Sequence, residues 1–425
     1  MDLFKKLLAT VAGLALTASG VAAQAPQTPS KPPVSELEAE GFRGVLFLGD
    51  QPQPAPQPRP TTPPQGLPSP NAGESYEELL PPQAEEFVFA PNPSTYPWRF
   101  WGSAEVLLGS TQSVNVIPVV TTGPPTAGIQ NAGAAGQPGT VPLFGGRHML
   151  GDWRAGVRGE GGLWFDQPKT VGLTGRYYSL FSTSDQLVGV GNGTNVVNVP
   201  QFVSLGGVVA QIPAPVGFPG ITTGTVSADV QTMFMGGDVN LRRMFRQSSG
   251  WRADVLMGYR QLYLHDEIGS AFTVNGTVPG AGTAATAGSS NIRTVNQFYG
   301  VNLGGMAMTH WRQWNLEAFG AVSLGVNASD TNYVRSLLVV VPGVPVPPLA
   351  ANISDPMTYF GTVGEGGLRL GYRLGEHTKL TFGYTALYWA NIRRAQEQLT
   401  FSQTLTGSTT SMMVHMLSWG AEFRY

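Results

Sequence analysis

The sequence contains no cysteine and few charged residues. The absence of cysteine excludes disulfides, thiolate nucleophiles and cysteine-ligated metal sites. Asp, Glu, Lys and Arg make up 12% of the 425 residues, against roughly 25% in soluble domains. The formal net charge is only -2, so the chain has no strong basic field for nucleic acid. These absences argue against an ordinary soluble enzyme and against a nucleic-acid-binding protein.

Long apolar runs are also missing, because no stretch reaches the 18 or so uninterrupted apolar residues that indicate a transmembrane helix. A shorter run of apolar and small residues, 7–20, follows Lys5 and Lys6. A short apolar run behind a positive start and ahead of small residues is typical of a secretory signal. We therefore expect export, with cleavage after Ala23.

Glycine and proline are abundant, with 55 and 34 residues. About half of the prolines fall within residues 24–97, at every second position from 52 to 60. This composition predicts a disordered, proline-rich periplasmic linker after a signal peptide over residues 1–23. Two segments within it, 35–50 and 75–90, mix acidic and apolar residues. They are docking motifs for a periplasmic or cell-wall partner, segments that enter the barrel, or parts of a plain tether.

From residue 98 to the end, apolar residues alternate with polar ones. Arg99 and Glu105 share one phase of their segment, while Val106 and Leu108 occupy the other. Ten such segments of about 12 to 15 residues start near 98, 152, 171, 230, 251, 294, 314, 360, 378 and 412. Strands of this length, with one apolar face and aromatic residues towards their ends, predict an all-β, transmembrane antiparallel β-barrel over residues 98–425.

The connections between these segments alternate in length. Long ones cover about 110–150, 183–228, 266–293, 326–359 and 390–411, and the others are short. Outer-membrane barrels have long extracellular loops, short periplasmic turns and an even number of strands. Ten strands satisfy this pattern; the alternative is twelve, if 114–122, 196–212 or 337–346 adds a hairpin.

The polar phase of such a barrel faces its lumen. Bulky residues in the same phase, including Tyr178, Phe234 and Phe298, narrow that lumen. The candidate lumen-lining residues are Arg154, Arg158, Glu160, Arg176, Asp238, Arg252, Asp254, Arg260, Glu317, Glu365, Arg369 and Lys379.

The end of the chain resembles the β-signal of outer-membrane proteins. That signal has a polar residue, a glycine two places on, and aromatic residues third from the end and at the end. Ser418, Gly420, Phe423 and Tyr425 match it. The resemblance implies capture of the last strand by the barrel-assembly machinery and a final location among outer-membrane lipid.

Several longer segments match a known family: TTGPP at 121–125, GQPGTVPLFGG at 136–146, GYRQLYLHDEI at 258–268, TVNQFYGVNLG at 294–304 and LGYRLGEHTKLTFGYTALYWANIRR at 370–394. With these segments the chain resembles the planctomycete family of putative beta-barrel porins that is number seven of its series. The resemblance implies an outer-membrane barrel and a porin function.

Two functions are consistent with these features of the sequence. One is a porin for passive diffusion of small solutes with at most a weak anion preference. The other is a closed structural or surface-binding barrel that acts through its long extracellular loops. His265, Asp266 and Glu267 are the only catalytic candidates that we single out, but no Asp-x-Asp pair accompanies them. We therefore expect no enzymatic activity, no metal and no cofactor.

Overall fold

The structure, a computed structural model, describes residues 98–205, 208–278, 282–340, 347–398 and 407–425. The predicted cleavage after Ala23 and the predicted linker over 24–97 lie outside the described residues. Across the described part, no helix has the length and apolar character needed to cross a membrane. The strands are β1 (Phe100–Thr111), β2 (Val114–Val116), β3 (Val120–Thr122), β4 (Val141–Phe144), β5 (Arg147–Met149), β6 (Arg154–Trp164), β7 (Val171–Gly191), β8 (Val197–Leu205), β9 (Val208–Gly217), β10 (Thr222–Gln247), β11 (Trp251–Val278), β12 (Gly282–Trp311), β13 (Trp314–Val340), β14 (Leu349–Arg373), β15 (Thr378–Ile392) and β16 (Thr410–Arg424). A 3-10 turn spans Pro125–Ala127, and a short α-helix, α1, spans Ala395–Gln398.

Ten of these strands form a closed antiparallel barrel in the order β1-β16-β15-β14-β13-β12-β11-β10-β7-β6. Strands that follow one another in the chain within the ring are neighbours in it, and β16 pairs with β1 to close it. The predicted ten-stranded fold class is therefore confirmed. The segments that suggested twelve strands lie outside the ring: β3, β4, β8 and β9 form a separate four-stranded sheet, and β2 pairs with β5.

Six barrel strands are longer than predicted, with 21 residues in β7 and 25 to 30 in β10 to β14. Most of the expected loops 266–293 and 326–359 are therefore strand, so the prediction of long loops there was wrong. Thr, Ser, Gly and Val occupy both phases of these stretches, which hides the alternation in the sequence. We call the outer parts of these six strands the outer extension; they comprise 183–191, 222–232, 264–278, 282–296, 327–340 and 349–361.

An apolar belt surrounds the barrel, and every barrel strand contributes to it. Exposed members, one from each strand in chain order, are Val106, Val157, Tyr177, Val239, Val255, Val301, Val322, Leu368, Phe382 and Trp419. Exposed aromatic side chains lie around the end of the barrel that carries the short turns: Phe165, Phe245, Trp251, Trp311, Trp314 and Tyr425. An outward apolar band beside an aromatic girdle is the surface that a lipid bilayer requires.

A charge in this belt is predicted to destabilise the barrel. Val255→Arg places a guanidinium on the lipid-facing side of β11, and we expect a loss of about 2 to 4 kcal/mol near the bilayer midplane. Asn275→Arg is the matched control, because Asn275 is exposed on the same strand within the outer extension. Urea unfolding in lipid vesicles measures both variants. Equal stability of the two would contradict this placement of the belt.

The four residues of the predicted assembly signal lie in or next to β16, at the seam that closes the ring. Gly420 pairs with Glu105 of β1 and with Thr381 of β15. A Cβ atom at position 420 would overlap the carbonyl oxygen of Ala104. Phe423 and Tyr425 are exposed, whereas Ser418 is buried. Glycine is thus required where two strands approach closely, independently of any assembly factor.

Gly420→Ala is therefore predicted to weaken closure of the barrel by about 1 to 3 kcal/mol, the usual cost of overpacking. Gly364→Ala is the control, since an added Cβ atom there meets no atom within 4 Å. Refolding yield and urea midpoint in lipid vesicles report the difference. A Gly420→Ala protein as stable as the Gly364→Ala protein would show that the seam can adjust.

Candidate functional site

Paired charges fill the central part of the barrel interior. All twelve predicted lumen-lining residues lie in the buried phase of their strands, and ten of them are buried. The structure brings eleven of them into ion pairs and leaves Arg154 apart. That they line a conducting lumen stays a prediction.

The central ion pair joins opposite walls. Arg176 of β7 contacts both carboxylate oxygens of Glu365 of β14, at 2.8 and 2.7 Å. These strands are five places apart in the ring of ten in either direction. Arg260 of β11 also contacts Glu365 at 2.5 Å, and Asp238 of β10 lies 2.6 Å from Arg176 and 3.3 Å from Arg260. We call these four residues the central quartet; they span the full width of the barrel and balance in charge.

A second group of ion pairs centres on Arg369. Its guanidinium contacts Glu105 of β1 at 3.4 Å, Glu160 of β6 at 2.7 Å and Glu317 of β13 at 3.3 Å. Arg158 of β6 contacts Glu105 at 3.3 Å. Since β14 lies three strands from β1 and four from β6 along the ring, these contacts also cross the interior.

Charged and aromatic side chains also fill the end of the barrel that carries the short turns. Asp254 sits between Arg252 and Arg242, at 2.7 and 2.5 Å. The Lys169 ammonium lies 3.4 Å from the centre of the Trp98 ring. Burial, together with the positive charges of Arg424 and Arg252, lowers the pKa of Lys169 to about 8. The cavity bordered by several of these side chains has a volume of only about 60 Å³.

Above the central quartet the interior is apolar. We call this the apolar layer; each member is at most 1% exposed: Leu107, Tyr178, Leu180, Phe234, Leu262, Leu264, Phe298, Val363, Leu387, Trp389, Ile392, Met412, Val414 and Met416. The Trp389 ring lies 6.5 Å from Phe234 and 6.3 Å from Phe298, between ring centres. Its indole N–H donates to the Asn327 side chain at 2.9 Å. Sequence reasoning missed most of this layer, although apolar residues in both phases of strands such as β16 indicate it.

Residues 391–398 turn inward across the outer mouth of the barrel, and we call them the capping segment. Asn391 has a φ of 56°, the left-handed conformation that asparagine tolerates. The Arg393 backbone N–H donates to the Asn296 side-chain oxygen, and its guanidinium contacts Asp355 at 2.7 Å. Arg394 pairs with Asp266. The family motif that ends in Arg393 and Arg394 thus closes the mouth, a role that the sequence did not reveal.

The catalytic candidates from the sequence do not form one site. Asp266 is buried inside the barrel against Arg394. His265 and Glu267 lie in the opposite phase of β11 and contact each other at 3.2 Å.

A larger cavity of about 590 Å³ lies beside β5, where β1 ends and β16 begins. It is bordered by Ser110, Thr111, Gln112, Ser113, residues 147–152, Asp185, Met413 and His415. Its lining carries charges of both signs.

Three apolar side chains of the sheets outside the ring, Val116, Val120 and Val199, belong to a buried cluster with Val226 and Phe272 of the outer extension. The mouth is therefore covered by these sheets as well as by the capping segment.

A closed ten-stranded antiparallel ring with an apolar belt and an aromatic girdle defines an outer-membrane β-barrel protein. The profile of the family described as Putative beta barrel porin-7 (BBP7) matches residues 101–416. The chain belongs to this family, as its resemblance predicted. Comparison with curated proteins finds no match.

Solved outer-membrane proteins share only a distant likeness to the chain. The outer membrane protease OmpT from Escherichia coli is 9% identical, with 77% of this chain and 97% of that one covered and a TM-score of 0.35. A Pseudomonas aeruginosa FadL homologue is 7% identical, with coverages of 78% and 91% and a TM-score of 0.23. The toluene transporter TodX of P. putida is 6% identical, with the same coverages and a TM-score of 0.16. Likeness this low carries no argument about function.

Proposed function

We propose that this outer-membrane barrel is closed to passive diffusion at rest and acts as a structural or surface-binding barrel through its outer surface. The observation that carries the proposal is the bidentate ion pair between Arg176 and Glu365, which joins opposite walls of the ring. A solute that crossed the barrel would have to separate these buried charges. Buried charges that are separated from their partners without regaining water are strongly destabilised.

The apolar layer supports the same proposal. Its side chains exclude water almost completely, so a hydrated ion would lose its hydration shell there. The capping segment and the sheets outside the ring add a third barrier at the mouth. Ten strands also lie near the narrow end of barrel sizes, since eight-stranded barrels are filled by side chains.

The outer surface is where the barrel has room to act. The outer extension carries six strands beyond the level at which β1, β6, β15 and β16 end. The 590 Å³ cavity lies beside it and combines Arg147, His148, Asp152, Asp185 and His415. A lining of mixed charge suits polar ligands or neighbouring components of the cell envelope. The separation of Asp266 from His265 and Glu267 supports a role without catalysis.

Passive diffusion with a weak anion preference is the second candidate, and the porin description of the family favours it. It requires the central quartet and the apolar layer to move apart together. The two candidates differ in a liposome-swelling assay. Closed barrels leave liposomes in isosmotic arabinose unchanged, as empty liposomes do, whereas a diffusion pore makes them swell at a rate that falls with solute size. Swelling above that of empty liposomes would overturn the proposal.

A further inference from the structure

Arg154 differs from the other arginines of the barrel interior. The others form ion pairs with carboxylates: Arg158, Arg176, Arg242, Arg252, Arg260, Arg369, Arg393, Arg394 and Arg424. Arg154 is only 7% exposed, yet Nε, Nη1 and Nη2 have no hydrogen-bond partner within the described part of the chain. A buried guanidinium costs several kcal/mol unless its donors are satisfied.

Arg154 lies near a carboxylate that is already paired with another arginine. Arg154 interacts electrostatically with Asp266 and with Arg394. Asp266 is already paired with Arg394, so one carboxylate serves two guanidinium groups. Glu397 interacts electrostatically with Arg394 and with Asp266, but its side chain is exposed. Arg154 therefore has no hydrogen-bonded carboxylate of its own among the described residues, and a bound anion would supply the missing partner.

A second orphaned group lies two residues beyond Arg394. Gln396 is 3% exposed, and neither its side-chain nitrogen nor its oxygen has a hydrogen-bond partner among the described residues. Arg154 begins β6 in the barrel wall, whereas Arg394 and Gln396 belong to the capping segment. Unsatisfied donors thus occur on both the wall and the segment that closes it.

We propose that Arg154, Arg394 and Gln396 bind a small oxyanion, a phosphate or carboxylate group, that links the barrel wall to the capping segment. The planar guanidinium of Arg154 offers paired donors that match such oxygens. The 590 Å³ cavity borders residues 147–152, which precede Arg154 by two positions in the chain. This site goes beyond the proposed closure of the barrel, and it is testable whether or not the barrel conducts.

The test is calorimetric titration of inorganic phosphate, and separately of acetate, into the full chain. The protein is held in nanodiscs whose lipids and buffer both contain no phosphate. We expect one oxyanion to bind per chain, and Arg154→Gln to weaken its binding at least tenfold. Arg243→Gln is the matched control, because Arg243 is exposed on the outside of β10. This variant has the same charge change and should bind like the unchanged chain. Stronger binding of phosphate than of acetate, or the reverse, identifies which oxyanion the site prefers.

Thermal unfolding gives an independent readout, because a ligand of the folded state raises Tm with its concentration. We expect phosphate or acetate to raise Tm in the unchanged chain more than in Arg154→Gln at equal ionic strength. If Arg154→Gln does not fold, Gln396→Leu replaces it and should weaken binding by about threefold to tenfold. No binding at millimolar concentrations of either anion would overturn the proposal, as would equal binding by Arg154→Gln.

Discussion

Replacing Glu365 by Gln is expected to lower the free energy of unfolding by about 3 to 5 kcal/mol. Glu365 is one of two carboxylates in the central quartet, and its side chain is fully buried between Arg176 and Arg260. Without its charge, Asp238 alone must balance two buried guanidinium groups. Urea unfolding of the protein refolded in lipid vesicles measures the loss.

Two further variants show whether the loss comes from charge balance. Glu376→Gln makes the same chemical change in an exposed turn. There we expect the free energy of unfolding to fall by less than about 0.5 kcal/mol. Arg260→Met combined with Glu365→Leu removes one charge of each sign and leaves the Arg176–Asp238 pair. Its stability should return to within about 1 to 2 kcal/mol of the unchanged protein. A double variant as unstable as Glu365→Gln would exclude charge balance as the cause.

Trp389→Ala is expected to cost about 3 to 5 kcal/mol, the usual range for a large buried aromatic side chain. The ring is fully buried among Phe234, Phe298 and other members of the apolar layer. Its loss leaves a cavity and removes the hydrogen bond to Asn327. The same urea titration measures the change, and Trp389→Phe, which keeps most of the volume, should lose less.

Trp419→Ala is the control for residue type. Trp419 lies on the lipid-facing side of β16 and is 43% exposed, so its removal leaves no enclosed cavity. We expect a clearly smaller loss than for Trp389→Ala. Equal losses at the two positions would mean that the apolar layer is loosely packed and adds little to the barrel.

The sequence predicted the ring because alternation is strong where one strand face meets lipid and the other carries charge. Arg158, Arg252 and Glu365 all lie in the phase assigned to them. The outer extension has the sequence character of loops, since beyond the membrane neither face needs to be strongly apolar. Thr225 and Ser289, for example, contact Thr273 and Ser336 across strands on an exposed face. Because the exposed face carries polar residues such as these, apolar and polar residues do not alternate clearly in the sequence of the outer extension.

The site was harder to predict, because it depends on contacts between strands that are distant in the chain. Arg176 and Glu365 are 189 residues apart, and nothing in a single strand indicates which charge faces which. The capping segment was equally hidden. In the sequence, Arg393 and Arg394 have the character of loop residues. Their partners, Asn296, Asp355 and Asp266, lie far from them in the chain.

The central claim, a barrel interior that is closed, is tested most directly by single-channel current recording of the full chain in a planar lipid bilayer. Insertion is verified by protease protection of the same sample in vesicles. We predict a silent baseline for inserted protein across the voltage range that the bilayer tolerates. Discrete current steps, with a reversal potential in a salt gradient that indicates anion preference, would contradict the claim and establish the protein as a pore.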